Sequence, residues 1–199
     1  MNNEVLITNP ELKARGWTDS VVRKYLGKPD GYRDNPRYRS APKTKLYNLS
    51  RVAEMERRPE VLEALQKAAI RSETSRKSAK MQSKRLLEYI RNLNIEVPSM
   101  PEDVLIEKAC SHYNGLWIGR GDYDRYASPL SPKHFLSRIS VNFLRHEMTN
   151  YEDELARIFG KVGCVKGRVL LKSRILDKIG EVYPTLSKEC RKQKCIQHN

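Results

Sequence analysis

From Glu60 to Leu93 the chain contains neither glycine nor proline. A stretch of that length, rich in Ala, Glu, Lys, Arg and Leu, predicts one long helix, because nothing in it opens a bend. Its ends are amphipathic. Val61, Leu62, Leu65 and Ala69 recur at helical spacing near the start and Leu86, Leu87, Ile90 and Leu93 near the end, so each end is expected to dock on the chain next to it. The middle is different: Met81 is its only large apolar residue, and Arg76, Lys77, Lys80, Lys84 and Arg85 fall along one side with Glu73 as the single acid. Such a face is either that of a solvated connecting helix or a rail for a phosphate backbone.

Ahead of this helix, residues 8–56 carry a second organised pattern. Asn9 is expected to cap a first helix that has Pro10 in its opening turn and stops at Gly16. Thr18 is expected to cap a second, Asp19 to Leu26, with Val21, Val22, Tyr25 and Leu26 inward and Ser20, Arg23 and Lys24 outward, and Trp17 filling the angle between the two. Two helices joined by a tight glycine turn predict a helix-turn-helix whose second helix presents its outward side chains to a DNA groove. The turn formers Lys28-Pro29-Asp30-Gly31 then lead into a basic hairpin, or wing. Strands are expected around Tyr32-Arg33 and from Lys45 to Leu49, followed by a helix capped by Ser50 with Val52 and Met55 inward. Between Lys13 and Arg58, Lys and Arg outnumber Asp and Glu by 13 to 5.

The run IT-x-x-ELK, a Pro-Asp pair, then NPRY and KLYNLSRV resembles the C-terminal part of the DNA-binding domain of the xeroderma pigmentosum group A (XPA-like) family. The order helix, turn, helix, GYR wing, LY and helix is also similar to the winged domains of MerR regulators and phage excisionases. The resemblance covers about a quarter of the chain. It implies that Arg37, Tyr38, Arg39, Lys43 and Lys45 sit on a DNA-contacting hairpin; Arg33, interleaved with the wing's tyrosines, is read as part of the same basic surface. The family's four-cysteine zinc finger has no counterpart in the seven residues before Thr8. Its hairpin tryptophan has none at Ala41 or Pro42, so no aromatic wedge is expected.

A net charge of +14 points to an anionic partner, and it is uneven: residues 1–100 hold 21 basic and 12 acidic side chains, residues 101–199 hold 17 and 12. Nucleic acid fits better than membrane, since no stretch is both basic and strongly apolar. No basic leader or spanning segment is read, and Cys110, Cys164, Cys190 and Cys195 lie at irregular spacings that suit reduced thiols. An intracellular protein, cytoplasmic or nucleoid-associated, is expected.

Residues 94–103, with two prolines, read as a linker. Beyond them the chain predicts a helical bundle over 104–199, with helix signals at Val104–Leu116, from Ser131-Pro132 through Phe135, Leu136, Ile139, Phe143 and His146, and from a Thr149/Glu152 capping box to Ile158. A last long helix is expected to turn Val165, Val169, Ile175, Leu176, Ile179 and Val182 inward, and residues 186–199 to form a basic piece that frays. His112, Tyr113 and Asn114 on one helix and Arg138, Asn142, Arg145 and His146 on another could serve metal-free RNA cleavage, with the imidazoles as acid and base. The same residues equally suit buried hydrogen bonding or partner contacts, and Arg138 lies further from His146 than in the helical HEPN ribonucleases that they superficially resemble. Cys164, Cys190, Cys195 and His198 are too irregularly spaced for a zinc site.

The sequence therefore predicts a mainly α protein: a winged helix-turn-helix over 1–58, a long basic connecting helix over 59–93, a linker over 94–103 and a bundle over 104–199. The expected function is non-enzymatic binding of double-stranded DNA, without metal or cofactor, and with a protein partner or a second copy held by the bundle. The alternative is an RNA-binding protein or a metal-independent ribonuclease using His112 and His146.

Overall fold

The computed structural model describes residues 5–35 and 40–195. Arg37, Tyr38, Arg39 and His198 lie outside the described residues. The fold is mainly helical with one small three-stranded antiparallel sheet, and it divides into two compact units, Met1–Ser78 and Ala79–Asn199. Among the described residues no helix is long and apolar enough to cross a membrane.

In the first unit, β1 (Leu6–Thr8) and β2 (Gly31–Arg33) flank β3 (Thr44–Asn48). The β2/β3 hairpin is the one expected. β1 was not foreseen, because three residues carry too little alternation to mark a strand. Its register sets Ile7 opposite Tyr47, and both are buried in the unit's core.

Helix α1 (Asn9–Ala14) is capped by Thr8, not Asn9: the Glu11 carboxylate accepts from the Thr8 amide at 2.6 Å and the Thr8 hydroxyl at 2.7 Å. A residue whose partner lies three positions on satisfies the first turn better than one already inside it. Gly16, at φ 91°, turns the chain into α2 (Asp19–Val21), which Thr18 caps through the Val21 amide at 3.4 Å. The second helix is not uniformly α. Val22–Leu26 forms a π-helical turn closed by the Gly27 amide on the Val22 carbonyl at 3.0 Å, and the wider turn lets Val21, Val22 and Leu26 all be buried.

Helix α3 (Leu49–Glu56) begins one residue before the expected Ser50 cap. Asn48 Oδ1 accepts from the Ser50 and Arg51 amides at 2.9 and 3.4 Å. Its last residue closes the unit: Glu56 accepts from the buried Trp17 indole at 2.9 Å and from Arg15 Nε at 2.9 Å, with a second Arg15 contact through Nη2. Helix α4 (Pro59–Asn92) runs nearly as predicted. The face that packs on the first core is Val61, Ala64, Leu65 and Ala68, whereas Leu62 and Ala69 are exposed. Small alanines can sit close against a core, and this selects their face over the neighbouring one.

In the second unit, Leu86 and Ile90 of α4 join a core with α5 (Glu102–Ile118), α6 (Lys133–Glu147), α7 (Tyr151–Ile158), α8 (Cys164–Val182) and α9 (Ser187–Cys195). The residues read as a linker belong to this body. Ile95 is buried, and the Tyr183 hydroxyl donates to the Pro98 carbonyl at 2.8 Å and accepts from the Met100 amide at 3.1 Å. Arg174 donates to the carbonyls of Ile90 and Leu93, satisfying the end of α4.

The Thr149/Glu152 capping box does not form. Thr149 donates its hydroxyl back to the Arg145 carbonyl at 2.7 Å, Glu152 is bonded to His146, and Asn150 takes the cap position. In α8 the buried face is Gly167, Leu171, Ile175, Leu176 and Ile179, while Val165 and Val169 stand in solvent. Gly167 decides this, since a Cβ there would lie 3.0 Å from Ile90 Cδ1, so α8 approaches α4 along its glycine edge. Gly163, at φ 88°, is tighter still: a Cβ would collide with Ser83. The described part of the piece expected to fray is helical, because Glu189, Cys190 and Gln193 share a buried face of α9.

Glu56 is held below the usual carboxylate range by its bond from Arg15, with the Trp17 bond adding to this against the opposing effect of burial. A lowered pKa contributes stability that is complete above roughly pH 4.3, the ordinary glutamate value, and is lost as pH falls through the folded-state value. Glu56→Ala also leaves the buried Trp17 N–H unpaired. It should destabilise the first unit by about 1–3 kcal/mol at neutral pH and weaken its acid dependence, read from Trp17 fluorescence during denaturation in a Trp117→Phe background.

Candidate nucleic-acid interface

The outward residues of the second helix divide by what they touch. Arg23 and Lys24 are exposed, and Lys24 Nζ lies 4.9 Å from the centre of the Tyr25 ring. Tyr25 is itself anchored by its hydroxyl, which donates to the Glu60 carbonyl at 3.3 Å, so Lys24 is steered along a fixed aromatic face. Ser20 is exposed, but its hydroxyl lies 3.0 Å from that of Thr18 and belongs to the helix start.

On the hairpin, Tyr32 is paired with Lys45 and Arg33 with Thr44. Directly opposed residues share a face, so Tyr32, 60% exposed, and the exposed Lys45 stand side by side. Arg33 is exposed, and its charge adds to the lowering of the Glu11 pKa, which the Thr8 hydroxyl bond dominates. Lys43 pairs with Asp34 at 3.3 Å, both well exposed; such a pair is weak and readily exchanged for a phosphate.

The base of the hairpin is stapled by residues whose pairing the sequence does not announce. Asp30 accepts from the Asn48 amide at 2.8 Å and pairs with Arg51 at 3.0 Å, while Arg51 also donates to the Lys28 carbonyl at 3.2 Å. A Pro-Asp-Gly turn signals an aspartate that bonds nearby backbone. Nothing in it reveals an arginine 21 positions away.

Along α4, Arg76 and Lys77 belong to the first unit and Lys80 and Lys84 to the second, and all four are exposed. Lys77 pairs with Glu73 at 2.9 Å and Lys84 with Glu88 at 3.8 Å. These are i,i+4 pairs worth a few tenths of a kcal/mol.

In the second unit, His112, Asn142 and His146 meet at a cavity of about 340 Å³ lined also by Tyr113, Glu147 and Glu152. Both nitrogens of His146 are engaged. Nδ1 is bonded to Glu152 Oε1, and Nε2 lies 3.1 Å from Arg145 Nε and 2.8 Å from Arg145 Nη2. Since guanidinium only donates, Nε2 accepts and the ring proton sits on Nδ1, so no lone pair is left for a general base in this arrangement. His112 Nε2 is 3.8 Å from Glu147 Oε1. Arg138 is not brought to this cavity; its guanidinium lies 5.2 Å from the Phe135 ring centre. Asn114 clamps the 119–132 loop, donating to the Ala127 carbonyl at 2.9 Å and accepting from the Ala127 amide at 2.7 Å.

Burial pushes the Cys190 thiol up to about 11 and raises that of Cys110. Both are inert as nucleophiles near neutrality. Among the described residues no group of three or more His, Cys, Asp or Glu could hold a metal ion.

No family model, no curated protein and no solved structure matches the chain.

The Glu152–His146–Arg145 chain makes a structural claim that can be measured. His146→Ala removes an acceptor from a half-buried guanidinium and a donor to Glu152, and should cost the second unit about 1–3 kcal/mol. Hydrogen exchange of the Lys133–Glu147 and Tyr151–Ile158 amides should accelerate accordingly; unchanged protection would show the contacts to be incidental.

Proposed function

We infer that the protein binds double-stranded DNA through a winged helix-turn-helix in the first unit, without catalysing a reaction, and that the bundle holds a protein partner or a second copy of the chain. One observation carries this reading: Arg23 and Lys24 are exposed on a helical turn whose other side is buried, and they are followed in the same compact unit by a hairpin with Tyr32 and Lys45 side by side. A cationic helix and an aromatic-plus-cationic strand pair are what a groove and its flanking phosphates recognise. The chain's charge of +14 supplies long-range attraction to the same partner. Ser20, Arg33, Lys43 and, outside the described residues, Arg37, Tyr38 and Arg39 extend the interface in this reading, and Arg76, Lys77, Lys80 and Lys84 add phosphate contacts along α4.

The alternative, a metal-independent ribonuclease, is favoured by the two imidazoles at one cavity and opposed by the engagement of both nitrogens of His146. Incubation with labelled RNA, with and without chelator, separates the two: the binding reading expects intact RNA. Chelator-resistant cleavage abolished by His146→Gln would select the alternative.

Affinity for duplex DNA should fall steeply with salt, each neutralised phosphate adding about 0.9 to the slope of log K against log salt. The triple variant Arg23→Ala, Lys24→Ala, Lys45→Ala should weaken binding by about 1 kcal/mol or more for each charge-assisted bond removed and flatten that slope. Fluorescence anisotropy over a salt series measures both, and parental affinity in the triple variant would sink the winged-helix reading.

A further inference from the structure

A second cavity, of about 310 Å³, opens among α6, α7, α8 and α9, and four of its ten lining residues are cationic. Arg138 and Arg145 come from α6, Lys172 from α8 and Lys192 from α9, against one carboxylate, Glu189. Glu189 is buried and already committed: it accepts from Gln193 Nε2 at 3.0 Å and faces Lys192 at 4.0 Å.

Arg145 is the informative member. It is half-buried, and its hydrogen bonds run to Asn142 Oδ1 at 3.3 Å, Gln193 Oε1 at 3.2 Å and the His146 ring. All three acceptors are neutral. The carboxylate of Glu152 reaches the guanidinium only through space, being bonded to the other nitrogen of His146. Taking a guanidinium out of water with only neutral acceptors in contact is costly, and the cost is visible at Arg145, whose pKa burial lowers. An anion in the cavity would relieve it. Guanidinium with ammonium groups around it suits a phosphate, which accepts from several donors at once.

The neighbouring cavity supplies the other half of a ligand. It shares Asn142 and His146 with this one and is walled by Tyr113, Leu116, Ile139 and the His112 ring together with the carboxylates of Glu147 and Glu152, a largely apolar and aromatic chamber beside the cationic side chains. Each is at the lower end of the usual range for small-ligand sites, about 300–1,000 Å³. We propose that the second unit binds a nucleoside 5′-phosphate, with the phosphate among Arg138, Arg145, Lys172 and Lys192 and the base against Tyr113 and His112. This site is separate from the DNA surface of the first unit and does not rest on it.

Isothermal titration calorimetry of the full chain with adenosine 5′-monophosphate, adenosine, inorganic phosphate, and an oligonucleotide with or without a 5′-phosphate tests the proposal. The monophosphate should bind, inorganic phosphate should compete weakly, and adenosine should bind at least tenfold more weakly, about what one charge-assisted contact provides. Tighter binding of the 5′-phosphorylated oligonucleotide than of the monophosphate would identify a nucleic-acid end as the source of the phosphate. Arg145→Lys should weaken binding about tenfold, because an ammonium cannot reproduce the guanidinium's planar fork. Arg138→Gln, at an exposed position, should weaken it with the fold intact. The first-unit variant Arg23→Ala, Lys24→Ala, Lys45→Ala should leave it unchanged. Failure of the monophosphate, inorganic phosphate and the phosphorylated oligonucleotide to bind at millimolar concentration, or monophosphate binding insensitive to Arg138→Gln and Arg145→Lys, overturns the proposal.

Discussion

The burial of the two ends of α4 is the constraint on which both units depend. A helix this charged has little to hold it in isolation, since its Glu–Lys pairs at i,i+4 contribute only a few tenths of a kcal/mol each. Val61 lies in the core of the first unit, and Leu86 and Ile90 in that of the second. Those residues anchor the helix, Arg174 satisfies its last carbonyls, and the polar middle follows because each residue added to an existing helix gains a hydrogen bond at small entropic cost.

The cations of the first unit fall into two kinds that a charge count does not separate. Arg15 and Arg51 are held by Glu56 and Asp30 in bonds that close the fold. Arg23, Lys24 and Lys45 are exposed, and Lys43 is paired on the surface. An exposed pair is weak in water and screened by salt, so Lys43 can exchange its carboxylate for a phosphate. Arg15 has a second obligation, because its partner also accepts from a buried indole.

In the second unit the polar groups form a chain in which each member determines the state of the next. Glu152 holds the His146 proton on Nδ1, which turns Nε2 into an acceptor for Arg145, and Arg145 is thereby set beside Lys172 and Gln193. The imidazole that sequence reasoning offered as an acid or base thus positions a guanidinium.

Helical class, the long α4, the hairpin and the burial of Trp17 were legible in the sequence, because each rests on local information: absence of turn formers, spacing of apolar residues, turn chemistry and capping side chains. Where two local solutions were nearly equal, tertiary packing chose. Thr8 and Asn48 cap in place of Asn9 and Ser50, alanines replace Leu62 on the inner face of α4, and Gly167 turns Val165 and Val169 outward. β1 was too short to carry a period and exists because β3 offers it an edge. The Trp17–Arg15–Glu56 closure, the Asp30–Arg51 staple and the cavity drawn from four helices were beyond the sequence for one reason. They join side chains far apart along the chain, and their energies depend on distances and burial that only the folded arrangement supplies.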